Sequence, residues 1–92
     1  MKIYKLVFEH HNLNKGVRDT RCVGVFSSKE ELRKVLTEDT LKNKLGVKHP
    51  ESHLVSMLET IQEGNTYRYT DFYPAVVLTS VYLEESILNT VT

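Results

Sequence analysis

The chain has 92 residues, 40% of them apolar and 26% charged, and its twelve Lys/Arg are balanced by twelve Asp/Glu. Such a length and composition exclude wholesale disorder and set one domain, residues 1–92, built from one sheet and a few helices. There is no apolar run near the roughly 18 residues of a membrane span, Lys5 interrupts any signal-peptide core, and a lone cysteine cannot close an internal disulfide.

Residues 2–9, KIYKLVFE, read as the first strand. Tyr4, Leu6 and Phe8 fall on one face, with Ile3, Lys5 and Val7 on the other. Apolar residues on both faces place it inside the sheet rather than at an edge. Residues 10–20, HHNLNKGVRDT, read as a long polar connection, the most basic loop of the chain through Lys15, Arg18 and the adjoining Arg21.

A short β run follows, Cys22 to Phe26, with Cys22 expected inside. It stops at Ser27-Ser28, and a helix is predicted at once. Ser28 with Glu31, or Ser27 with Glu30, has capping-box spacing. Leu32, Val35 and Leu36 then share one face. Leu41 and Leu45 fall on the opposite side of a continued helix. The segment TEDT, Thr37 to Thr40, is a poor helix former rich in cap residues. A break near Glu38–Thr40 is therefore expected, then a short helical piece ended by Gly46. Unbroken, the helix would turn Leu41 and Leu45 toward a partner protein.

Pro50 suits the first position of a helix over about 50–63, in which Leu54, Met57, Leu58 and Ile61 are spaced for one face and Gly64-Asn65 ends the run. The last third is β. Tyr67, Tyr69 and Asp71 alternate with Arg68, Thr70 and Phe72 until Pro74, and a longer strand spans 75–83. The tail, with Ile87, Leu88 and Val91, reads as either docked or frayed. The order β-β-α-α-β-β predicts an α+β fold, an antiparallel sheet of about four strands with helices on one face.

The junction GVFSSKEE and the later VVLTSVYLEE, with its Leu83-Glu84-Glu85 ending, resemble small uncharacterised bacterial and phage proteins that share such a strand-to-helix junction. The resemblance implies fold and a mobile-element origin, with no chemistry attached. Residues 37–74 depart from it, being longer than the connection it implies.

Charge is divided along the chain. Residues 1–48 carry eleven Lys/Arg against six Asp/Glu, a net of +5, and residues 49–92 carry Arg68 against six acids, a net of −5. The halves either lie side by side and neutralise each other or favour self-association.

Signals of chemistry are sparse. His49 and His53 have the i, i+4 spacing of a zinc pair, which His10, His11 or Glu9 could complete, although Pro50 leaves His49 at a helix cap. No nucleophile elbow, P-loop or dinucleotide fingerprint occurs, so neither an enzyme nor a cofactor is expected. Nucleic-acid binding would use Lys15, Arg18 and Arg21 with the aromatic run Tyr67, Arg68, Tyr69, Phe72 and Tyr73, against a near-neutral charge balance. The same run suits a protein interface, since Tyr and Arg are common anchors there. The sequence therefore favours a non-enzymatic cytoplasmic protein-interaction or regulatory module, such as an inhibitor, immunity or accessory factor. Its partner would be another protein or a second copy, and nucleic-acid binding is the alternative.

Overall fold

Alternation of side chains runs well past the apolar part of the first strand and sets the size of the sheet. The structure, a computed structural model, describes residues 2–72 and 75–87. Four antiparallel strands, β1 (Lys2–Asn12), β2 (Val17–Phe26), β3 (Tyr67–Asp71) and β4 (Val77–Ile87), lie in the order β2-β1-β4-β3. The helices occupy one face, giving the α+β architecture expected from the element order. β1 is central, flanked by β2 and β4 along its length, in the inside position expected for it.

The expected 10–20 loop is the main correction to the element boundaries. His10 pairs with Thr79 and Asp19, and Asn12 with Val17 and Val77, so both strands continue through the polar stretch. Only Leu13–Gly16 remain as a turn. Asn12 closes it, its Oδ1 accepting from the backbone N–H of Asn14 and Lys15 and its carbonyl from Gly16, which has a φ of +67°. Polar residues are tolerated here because their backbone is paired across the strands and β2 is exposed over residues 17–22.

After Phe26 the chain enters a 3₁₀ turn at Lys29–Glu31 that continues as the short helix α1 (Leu32–Val35). Ser28 is the cap residue, but its hydroxyl makes no cap bond; its carbonyl accepts from Glu31 N–H at 3.2 Å. The expected capping box is thus replaced by the tighter turn, and Ser27 Oγ reaches Glu31 at 3.5 Å. The helix breaks at Leu36 (φ −91°, ψ 91°), slightly ahead of the predicted point. Thr37 Oγ1 accepts from Thr40 N–H at 3.2 Å and starts a second piece, as a Thr cap does. That piece is π-helical over Thr40–Lys44, where Leu45 N–H reaches Thr40 O. The wider turn swings Leu41 inward, to full burial, and Gly46 (φ +68°) ends it. Helix α2 (Pro50–Gln62) has Pro50 at its start, as expected.

One cluster of buried side chains joins the layers: Leu6, Phe8, Phe26 and Val81 from the sheet with Leu32, Leu36, Leu41, Val47, Met57 and Ile61 from the helical side. The charge halves lie side by side, since β4 runs antiparallel along β1 and Lys2 pairs with Glu85 at 3.0 Å. Among the described residues no helix is long and apolar enough to cross a membrane.

Candidate functional site

The apolar stripe of helix α2 is wide, and its outer edge lines a concavity. Met57 and Ile61 point to the sheet and are fully buried. Leu54 and Leu58 lie half-buried beside them, and Val55, at the edge of the stripe, is 65% exposed. Facing this outer edge are Leu36, Thr37 and Val47, brought there by the break at Leu36 and the turn at Gly46. Between them runs a groove of about 1350 Å³ floored by Leu36, Val47, Pro50, Leu54, Val55 and Leu58. Its rim is charged: Arg33, Lys42 and Lys48 come from outside α2, together with Glu38 and Asp39, and Glu51 and Glu59 from α2 itself.

That groove uses none of the residues singled out from the basic loop or the aromatic run. Its signal in the sequence was the extra Val55 beside Leu54, which widens the apolar stripe of α2 beyond what one buried face needs. Its other wall exists only because the chain breaks at Leu36, and the residues that mark a break do not name what it will face.

The aromatic run is divided by strand alternation. Tyr67 and Tyr69 turn to the helical side, where they are half-buried and meet His53 of α2. The His53 and Tyr69 rings stack at 4.3 Å, and His53 Nδ1 shares a hydrogen bond of 2.9 Å with the Tyr67 hydroxyl. Burial pushes the Tyr69 hydroxyl up to about 12, opposed by a hydrogen bond with Thr79. Thr79 also bonds His10 Nδ1 at 3.1 Å, so a polar chain passes from β1 through β4 and β3 to α2. His10 is held below its usual range by burial first and then by Arg21. Phe72 lies past the end of β3 and is 77% exposed, and Tyr73 lies outside the described residues.

Arg68 projects to the open face of the sheet, opposite Tyr67 and Tyr69. There it lines a small depression of about 230 Å³ with Arg18, His11, Glu9, Ser80 and Leu78. One residue from each of the two proposed binding segments thus reaches a shared surface. Glu9 accepts from the Tyr82 hydroxyl at 3.0 Å within it. Lys15 sits at the hairpin tip, and Arg21, three residues from Arg18, faces the helical side with an Nε–Oδ2 bond of 3.0 Å to Asp19. Cys22, expected inside, is exposed, because it pairs with Val7 and so lies on the face of the sheet away from the helices.

The two helix histidines diverge. His49 precedes Pro50 in a left-handed conformation (φ 55°, ψ 55°), with its ring near Glu51, whereas His53 turns in to the tyrosines. Among the described residues no group of three or more His, Cys, Asp or Glu side chains gathers to hold a metal. No protein family, curated protein or solved structure matches this chain.

Proposed function

We propose that the chain is a non-enzymatic module that acts by protein–protein contact, taking an amphipathic helix of its partner into the groove beside α2. The observation that carries this reading is the apolar lining of that groove, which includes Val55, 65% exposed on a helix already anchored through Met57 and Ile61. At about 1350 Å³ it is wider than the roughly 300–1,000 Å³ usual for small-ligand sites. A helix laid in a groove reads apolar anchors at i, i+3 and i+4. Rim charge selects one flank: Glu51 and Glu59 favour basic residues along α2, whereas the opposite side mixes Arg33, Lys42 and Lys48 with Glu38 and Asp39. A regulator, inhibitor, immunity or accessory factor in the cytoplasm fits this mode, and the junction's resemblance to bacterial and phage proteins supports a mobile-element origin.

A photo-crosslinking residue at position 55 tests it in the native cell. The expected product is one partner cross-linked through a segment with helical apolar spacing, and Val55→Glu abolishes its retention while leaving the circular dichroism spectrum unchanged. Cross-links scattered over many proteins, or equal retention by Val55→Glu, would overturn the reading.

A second reading, nucleic-acid binding by the open sheet face, is favoured by the meeting of Arg18 and Arg68 on one depression. It requires affinity for single-stranded oligonucleotides that falls steeply with salt and is lost in the double variant Arg18→Ala/Arg68→Ala. Absence of binding at low salt removes it.

A further inference from the structure

We infer that the outer edge of β2 is a self-pairing surface, on which a second copy of this chain adds an antiparallel strand centred on Thr20. The inference does not rest on the groove, which lies on the helical layer. β2 ends the sheet, so its outward backbone N–H and C=O groups have no strand partner among the described residues. Residues 17–22 are exposed on the whole of this stretch. α1 covers only the far end of the strand, where Val35 stands against Gly24. Register slips between Leu6 and Val7, which pair with Gly24 and Cys22, so Val23 is the bulged residue that bounds the regular edge.

The bare stretch is complementary to itself. A two-fold axis through Thr20 puts Asp19 of one copy opposite Arg21 of the other, and Arg21 opposite Asp19. Both residues face the helical side, through their partners His10 and Phe8. They already meet within one chain at 3.0 Å, so their charged ends are held close above the edge, and pairing completes a ladder of alternating sign. Thr20 meets its own copy, a favourable cross-strand pair, and Arg18 meets the small neutral Cys22. Moving the axis to Asp19 sets carboxylate against carboxylate, and moving it to Arg21 sets guanidinium against guanidinium. Charge on an edge strand commonly blocks pairing. Here its order blocks the two neighbouring registers and admits the one between them.

The short paired stretch makes the dimer weak and dependent on concentration. Sedimentation velocity over a rising concentration series reads it. D19R or R21D alone raises the dimer Kd about tenfold, since two symmetric opposite-charge pairs become like-charge pairs. An equimolar mixture of the two variants restores association, because each then offers what the other lacks. In a Cys22→Ser background, Thr20→Cys gives a covalent dimer on mild oxidation. The native Cys22 does not, lying about 14 Å from its copy at roughly 3.4 Å per residue. Circular dichroism confirms that each variant folds. A wild-type chain monomeric throughout the series, indifference to the single reversals, or no rescue on mixing would overturn the proposal.

Discussion

His53 of α2 and Tyr69 of β3 stack with ring centroids 4.3 Å apart and planes 24° from parallel. This contact, with the 2.9 Å bond to Tyr67, ties the helix to the edge strand of the sheet. His53→Ala should cost about 1–2 kcal/mol, from a lost ring pair and a tyrosine hydroxyl left without its partner. Tyr67→Phe should cost less, about 1 kcal/mol, because the stack survives. Denaturant midpoints check both, and a His53→Ala loss below that of Tyr67→Phe would contradict the geometry. Tyr69 adds a pH signature. With its folded value raised to about 12, the folded state keeps a proton that the unfolded chain releases near pH 10. Stability contributed below that pH is therefore lost as pH rises from about 10 toward 12, and Tyr69→Phe flattens the slope.

The alternation of Tyr67 and Tyr69 was legible in the sequence, and so was the fold it belongs to. Period two in β1 and β4, Pro50 at a helix start and Gly46 at a stop are local signals that tertiary contacts reinforce. Which side of β3 would be covered was not legible, because alternation separates two faces without naming either. The polar arm was missed for a related reason. His10, Asn12 and Arg18 look like loop residues by composition, yet cross-strand pairing to Thr79, Val77 and His11 satisfies their backbone. The meeting of Arg18 with Arg68 depends on the strand order β2-β1-β4-β3, a long-range fact that neither segment encodes alone. The groove needed both the break at Leu36 and the position of α2.

Gly24 is favoured by a neighbour rather than by its backbone. A Cβ there would stand 3.0 Å from Val35 Cγ1, tighter than most carbon contacts, so Val35, stiff at its branched carbon, would have to give by a few tenths of an ångström. Gly24→Ala should destabilise by about 1–2 kcal/mol through overpacking. Val35→Ala should cost about 1 kcal/mol on its own through lost burial. The double variant should cost clearly less than the two together, since the smaller side chain makes room for the added methyl. An additive double-mutant cycle would place the two residues out of contact.

His49 holds φ 55° and ψ 55°, the one non-glycine residue of positive φ among the described residues. Its position directly before Pro50 sharpens the turn that carries the chain from Val47 into α2. His49→Val should destabilise by about 1–2 kcal/mol, because a branched side chain resists the left-handed region. His49→Gly should match or exceed the wild type, with the released backbone strain offset by the glycine's greater freedom when unfolded. Thermal melts of the two variants check the sign, and a His49→Val protein as stable as His49→Gly would show that the turn is not held in that conformation.

His10 gives the chain a stability that depends on pH near neutrality. Its ring bonds Thr79 at 3.1 Å and lies against Phe8 at a centroid distance of 6.2 Å. Burial and the facing Arg21 lower its proton affinity in the folded state, while Asp19 and Asp71 oppose them more weakly. The unfolded chain therefore takes up its proton first as pH falls through about 6.5, and stability must decrease from there until the folded state is protonated as well. Above that pH the contribution of the neutral ring is fully present. Unfolding in denaturant at a series of pH values should show the decline in the wild type. His10→Gln, which keeps a polar side chain for Thr79 but cannot take up the proton, should lose that part of the decline while the carboxylates still titrate lower down. Equal slopes for the two proteins between neutral pH and the acid range would mean that His10 is as easily protonated folded as unfolded.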